Sequence, residues 1–329
     1  MRRLILLLLF VIVVASAGAI IWERAQYAAP GPKAPSGQKT IVLIAPGDGV
    51  SAISHTLNKA GVIASEGMFR WSVRLRREGH RLKAGEYAIP SHASMQEIVA
   101  ILIAGKSIQH KLTIAEGLTS QMAYNLIADD KVLKGDAGPV PPEGVLLPET
   151  YLFTRGTTRA QLIARMEAAQ KTLVAGLWPK RGKDLPVTTP EQAIILASIV
   201  EKETALPAER RHIAAVFENR LRLGMKLQSD PTIIYGITKG YPLGRGIRES
   251  ELNGATPYNT YVIAGLPPTP ICNPGKDSIE AVLDPAQSKD LYFVADGTGG
   301  HVFAATIAEH RKNVAHWRKI ETRDKHHRH

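Results

Sequence analysis

The sequence predicts an α+β protein carried behind a single apolar helix, and three observations predict it. Residues 4-LILLLLFVIVVASAGAIIW-22 carry no charge and are long enough to cross a bilayer as a helix. Residues 40–110 twice show an extended apolar segment, a polar turn, and then apolar residues at helical spacing. Beyond residue 110, longer helical patterns alternate with turn-rich stretches and a late strand, as expected of a larger mixed α/β domain. The expected layout is a short N-terminal end (1–3), an apolar span (4–22), a linker (23–39), a small α+β module (40–110), a larger domain (111–320) and a disordered tail (321–329).

Arg2 and Arg3 precede the apolar run and favour a cytoplasmic N-terminus with the remainder exported. Ala15-Ser16-Ala17 resembles a signal-peptide cleavage site, which is the competing reading. The run nevertheless continues through Ile20 and Ile21 to Trp22, an interfacial residue type, which favours a retained anchor. Residues 28-AAPGPKAPSGQK-39 are rich in Pro, Gly and Ala and read as a linker.

In the module, 41-IVLIA-45 reads as a strand and Pro46-Gly47-Asp48-Gly49 as a turn, with Val50, Ile53 and Leu57 at helical spacing before Gly61. An echo follows at 87–105, with Met95, Ile98, Val99 and Leu102 on one stripe. In the larger domain, Thr119 to Ile127 reads as a short helix, 135–151 as ordered loop, and Arg159 to Trp178 as a longer helix. Thr189 then serves as N-cap, Pro190 fits the first helical position and Gln192 is spaced for a capping box, so the apolar run 193–200 is a helix buried on most sides. A second helix over Pro207 to Leu223, a strand at 291–295 and a final amphipathic helix near 304–319 complete the reading.

Lys and Arg total 41 against 30 acidic residues, a net charge of +11, which suits an anionic partner or simply a solvated basic surface. No finger spacing or basic recognition segment points to nucleic acid. Cys272 is the only cysteine, which excludes a disulfide framework. No P-loop, nucleophile elbow, HExxH or dinucleotide fingerprint implies a cofactor, and His301 and His310 lack a nearby third ligand for a metal.

The chemistry centres on 194-IILASIVEKETALP-207, where an apolar helix runs straight into Glu201. On a helix Glu201 shares a face with Ala197 and Ile194. Apolar surroundings, the negative end of the helix dipole and the nearby Glu203 all disfavour its ionised form, so a raised pKa is expected, as a general acid requires. The competing reading is a glutamate that merely marks where the helix meets water. Asn219, Gln228, Ser229, Asp230, Tyr258, Asn259, Thr260 and Tyr261 supply amide, hydroxyl and aromatic groups that suit sugars, and that equally suit ordered turns.

Several blocks, collinear behind the one anchor, resemble the YceG-like family of endolytic murein transglycosylases, membrane-anchored cell-wall lyases. They include 196-LASIVEKET-204, 228-QSDPTIIYG-236, 257-PYNTY-261, 265-GLPP-268, 273-NPG-275 and 291-LYFVA-295, followed by His301, Phe303, Thr306, Glu309 and His310. Segments 147-LPETY-151 and 82-LKAGEY-87 fit as well. Thr269 and Arg311 stand where the family often has Gly and Asn.

The resemblance implies that Glu201 is the catalytic acid and that 40–110 is a LysM-like module. It implies further that 111–320 is a catalytic domain in the periplasm, anchored in the inner membrane and associated with peptidoglycan synthases. Glu149, Asn219, Gln228, Asp230, Tyr258 and Asn259 are then the expected sugar-orienting residues of the cleft. The implied reaction cleaves the MurNAc–GlcNAc linkage of nascent strands and leaves 1,6-anhydro ends. Two rivals stand beside it: a hydrolytic muramidase pairing Glu201 with Asp230 or Glu149, and a non-catalytic wall-binding scaffold.

Overall fold

Along Lys39–Ile44 exposed and buried side chains alternate, with Val42 and Ile44 inward and Ile41 and Leu43 outward, the signature of a strand covered on one face. The computed structural model describes residues 2–35 and 37–327 and divides the chain into two units. Met1, Ser36, Arg328 and His329 lie outside the described residues.

The first unit comprises residues 1–110 and 152–157. It holds α1 (Arg2–Ala28), β1 (Lys39–Ile44), α2 (Val50–Lys59), α3 (Glu66–Leu75), β2 (Gly85–Pro90) and α4 (Met95–Ala104). Strand β1 pairs antiparallel with β2 in the register Lys39↔Pro90 to Ile44↔Gly85. Leu57, Phe69, Val73, Tyr87, Ile89, Ile98 and Leu102 form its core and have essentially no exposure. Helix α4 opens on a capping box between Ser94 and Glu97 and closes at Gly105, whose φ of 67° is the left-handed conformation that a helix end favours in glycine.

Helix α1 is long and apolar enough to cross a membrane, and none of its apolar window is buried in protein. The expected linker differs from what is found. Helix α1 continues to Ala28, and the Pro/Gly stretch that follows is fixed rather than free. Gly31 N–H donates to His92 O at 3.1 Å, His92 N–H to Pro32 O at 3.1 Å, and Ala34 N–H to Ser91 Oγ at 3.0 Å. A Cβ on Gly31 would lie 2.2 Å from Ala93 O, so glycine here serves close backbone approach and not looseness.

The second unit comprises residues 111–151 and 158–329. Strands β3 (His110–Thr113) and β4 (Thr150–Phe153) pair in a short ribbon, of which residues 111–113 and 150–151 fall in this unit, and α5 (Ser120–Asp129) lies between them in sequence. Then follow α6 (Arg159–Leu177), α7 (Pro190–Glu203), α8 (Arg210–Arg222), α9 (Asp230–Thr238), the single turn α10 (Glu249–Leu252) and α11 (Lys276–Leu283). The hairpin of β5 (Tyr292–Ala295) and β6 (His301–Ala304) precedes α12 (Ile307–His327).

Helix α7 is the centre of this unit. Leu196, Ala197, Ile199 and Val200 have no exposure and pack in one cluster with Ile213 and Phe217 of α8 and Ile279 and Val282 of α11. Thr189 caps it by accepting from Gln192 N–H at 3.2 Å, while Gln192 Oε1 reaches back past the cap to Thr188 N–H at 2.7 Å. The capping box predicted at this end is thus displaced by one residue. The helix predicted from Pro207 begins as a 3₁₀ turn over Pro207–Glu209 and becomes α8 at Arg210. The expected tail is helical through His327 as the continuation of α12.

Candidate active site

Side chains at i and i+4 share one helix face, so Glu201 follows Ala197 to the packed side of α7. Its side chain is 6% exposed. Gly275 N–H donates to Glu201 Oε2 at 2.9 Å, and Arg210 Nη2 stands 3.8 Å from Glu201 Oε1. One oxygen is therefore fixed by a backbone amide, and the other is left beside a cation.

Three segments converge on this carboxyl group. The turn Glu116–Gly117 lies on the end of α7, held by Gly117 N–H to Asn273 O at 3.0 Å and by Lys202 Nζ to Gly117 O at 3.3 Å. Gly117 has a φ of +75°, and a Cβ there would lie 3.6 Å from Glu201 Cγ. The loop carrying Gly275 is anchored by the buried Asn273. Its Oδ1 accepts from Leu146 N–H at 3.1 Å and its Nδ2 donates to Leu118 O at 3.2 Å and Ser120 Oγ at 3.1 Å.

From the first turn of α8, Arg210 bonds Glu116 Oε2 at 3.4 Å and Asp277 Oδ2 at 3.2 Å. Arg210 and Asp277 also line a cavity of about 380 Å³. Burial pushes the Glu116 carboxyl group up from its ordinary range, and the neighbouring Glu201 adds to the rise. A Cβ on Gly275 would fall within 1.8 Å of Glu116 Oε1, so only glycine lets that carboxylate lie over this backbone.

Glu203, two residues on, points to a different place. Ser229 Oγ donates to Glu203 Oε1 at 2.5 Å. Gln228, Asp230, Tyr261, Phe293 and His310 join it around a cavity of about 490 Å³. Burial pushes Glu203 up to about 7, with the Asp230 charge adding and the Ser229 hydrogen bond opposing.

The sign of the resulting pH effect follows from proton binding. The folded state holds this proton above the ordinary value of 4.5, so its contribution to stability is full below 4.5 and is lost as pH rises through about 7. Allowing for partial solvent access, Glu203→Gln is expected to stabilise the protein at pH 8 by about 2 kcal/mol and to flatten the decline between those limits. Denaturant midpoints across pH check this, and a variant as pH-sensitive as the parent places the titration elsewhere.

The other expected residues are dispersed. Gln228 Oε1 accepts from Arg220 at 3.1 Å, and Asp230 Oδ1 accepts from the Tyr261 hydroxyl at 2.7 Å, so both belong with Glu203. Asn219 Nδ2 donates to Ser288 O and Asp290 O, and Asn259 Nδ2 to Glu251 O, Leu252 O and Gly254 O; both amides hold loops. Tyr258 bonds Thr269 Oγ1 at 2.8 Å and packs edge-on to Tyr235. Glu149 is exposed, and its charge is felt at Glu116. Glu116 and Arg210 carry the immediate electrostatics of Glu201, yet both lie outside the sequence blocks that single out the site. Their only sequence signals are a Glu-Gly turn and a charged run, each common on surfaces.

Fold and site together define a mixed helix-and-sheet protein with one apolar N-terminal helix, whose second unit encloses a glutamate at a helix end beneath a glycine amide. A model of the YceG-like family matches residues 42–316, and the chain belongs to that family. It is 30% identical over 297 residues to the endolytic murein transglycosylase of Bacillus subtilis, an alignment covering 81% of each chain. Against the protein of that name in Streptococcus pneumoniae it is 31% identical over 318 residues, covering 82% of this chain and 56% of the relative's length. A crystal structure of a YceG-like protein from Listeria monocytogenes superposes with a TM-score of 0.53 at 32% identity, covering 84% of this chain and 99% of that one.

Proposed function

We propose that the protein is a peptidoglycan lytic transglycosylase that cuts MurNAc–GlcNAc linkages inside nascent glycan strands. The observation that carries the reading is the near-complete enclosure of Glu201 at the end of α7, with one oxygen held by Gly275 N–H. The names of its relatives support the same activity.

Glycosidases that use water need two carboxylates across the scissile bond, whereas intramolecular transfer needs one group that gives a proton and then takes one back. With Oε2 fixed by the amide, Glu201 Oε1 is the working oxygen. It protonates the glycosidic oxygen as the bond to muramic C1 breaks. The resulting carboxylate takes the proton of the muramic C6 hydroxyl, whose oxygen closes on C1 to give the 1,6-anhydro ring. No water is consumed, and Glu201 ends protonated, as it began.

Arg210 stands beside the carboxylate formed midway, with Glu116 and Asp277 sharing its charge. Gln228, Asp230, Tyr258 and Glu149 keep the proposed sugar-orienting role, whereas the amides of Asn219 and Asn259, expected in the same set, are engaged by the loops they hold. In the same reading, residues 40–110 are a LysM-like module that holds wall glycan, and residues 111–320 are the catalytic domain. The helix α1 anchors the chain in the inner membrane with the body in the periplasm, near the synthases that make its substrate.

Mass spectrometry of intact glycan strands digested by the full chain in detergent tests the reaction. Fragments ending in 1,6-anhydro-MurNAc are expected. Reducing MurNAc ends, heavier by one water, would replace this reading with hydrolysis.

A further inference from the structure

The apolar run of α1 ends at Trp22, and the first unit takes hold of the helix at the next residue. Both terminal nitrogens of Arg76 donate to the Glu23 carboxylate, at 2.5 and 3.1 Å, and the Glu23 side chain has 0% exposure. The same guanidinium lies 3.6 Å from the centre of the Tyr27 ring, and the Tyr27 hydroxyl donates to Glu78 at 3.4 Å. Arg76 is the C-cap of α3. The end of α3 is thereby fixed beside a residue that stands one helical rise, about 1.5 Å, beyond the apolar boundary. No flexible chain separates the bilayer from this unit.

With residues 4–22 in hydrocarbon, the C-terminal end of α3 stands at the depth of the lipid headgroups. There α3 exposes Trp71 and Leu75, four residues apart on one face and 40% and 47% exposed. Beside them Arg70, Arg74 and Arg77 line a recess of about 450 Å³ floored by Val50 and Val73. An aromatic and an aliphatic side chain flanked by arginines is the composition of a helix that lies in a membrane interface. The planar guanidinium fork of arginine can also pair bidentately with two oxygens of a phosphate.

We propose that the first unit docks on the outer surface of its own membrane through α3. Trp71 and Leu75 enter the acyl boundary, and Arg70, Arg74 and Arg77 hold the phosphates of anionic phospholipids. The proposal rests on the reading of α1 as a membrane anchor, and it deepens that reading by fixing the tilt and height of the unit that α1 carries.

The test uses the full chain reconstituted in vesicles, with a single bimane-labelled cysteine placed by Leu75→Cys or, separately, by Trp22→Cys. The native Cys272 has 0% exposure and does not compete for label. Brominated phospholipid is expected to quench both labels at least about twofold. Quenching at 75 is expected to be stronger when about a third of the lipid is phosphatidylglycerol, and to fall about fivefold or more with Arg74→Glu plus Arg77→Glu. Quenching at 22 without quenching at 75 overturns the docking and leaves the anchor. Loss of quenching at both positions overturns the anchor and the docking together. Equal quenching at 75 in zwitterionic and anionic vesicles overturns the phosphate contacts.

Discussion

Replacing Glu201 by Gln is expected to lower glycan cleavage at least about 10³-fold while the protein melts within a degree or two of the parent. Gln has nearly the size and shape of Glu and keeps an oxygen that can accept from Gly275 N–H, so the 2.9 Å contact survives. What it lacks is a proton to give and an anion to receive one, and it loses both halves of the reaction at once. Activity lost together with a collapsed melting transition would instead assign Glu201 to folding. Cleavage retained would place the catalytic acid at a residue other than Glu201. Glu201→Asp is a useful companion, because it keeps the acid but withdraws it by one methylene from the amide and the substrate. Partial activity is expected from Asp and none from Gln, an order that a merely packing role would not produce.

Glu201 was legible because its signals are local. A cap at Thr189, a proline at the first turn and an unbroken apolar run give the helix, and helical spacing then puts residue 201 on the face of Ala197 and Ile194. The neighbours that give the carboxyl group its surroundings arrive from positions 116, 210 and 275, and only tertiary packing brings them together. Helices α9 and α11 were hidden for a related reason. Asp230–Thr238 contains Pro231, Gly236 and β-branched residues that read as turn or strand, and Lys276–Leu283 is too short to show a period. Burial of Ile233, Ile279 and Val282 makes them helices. Glu203 shows the opposite limit. Sequence presents it as a like charge beside Glu201, whereas the roughly 200° between residues two apart on a helix sends it to Ser229 and a different cavity. The linker misled for want of the same information, since proline and glycine look loose until something binds their backbone.

The largest loss of stability from a single polar side chain is expected from Asn273→Ala. Asn273 has no exposure, and both ends of its amide are in use: Oδ1 takes the Leu146 N–H, and Nδ2 reaches Leu118 O and Ser120 Oγ. Alanine leaves the Leu146 N–H buried without a partner, while Leu118 O keeps the residue-273 backbone N–H and Ser120 Oγ keeps Pro142 O, so the orphaned donor and the lost amide hydrogen bonds together give an expected loss of about 3 kcal/mol. Its backbone binds Gly117 N–H through O and Leu118 O through N–H, so the same residue ties the Glu116–Gly117 turn to the strap that presents Gly275 to Glu201. The variant should therefore lose turnover by more than its folded fraction explains. Denaturant titration gives the first quantity, and cleavage per folded molecule well below the midpoint gives the second. Asn273→Asp separates the two roles. It keeps the acceptor for Leu146 N–H and loses the donor to Leu118 O, so it should destabilise less at a pH low enough to protonate it than at neutral pH, where a charge would be buried. If Asn273→Ala unfolds at the parent's midpoint, the amide is not the clamp it is taken to be. If it unfolds early yet cleaves normally per folded molecule, the strap does not position the acid, and Gly275 N–H has no part in holding Glu201 for proton transfer.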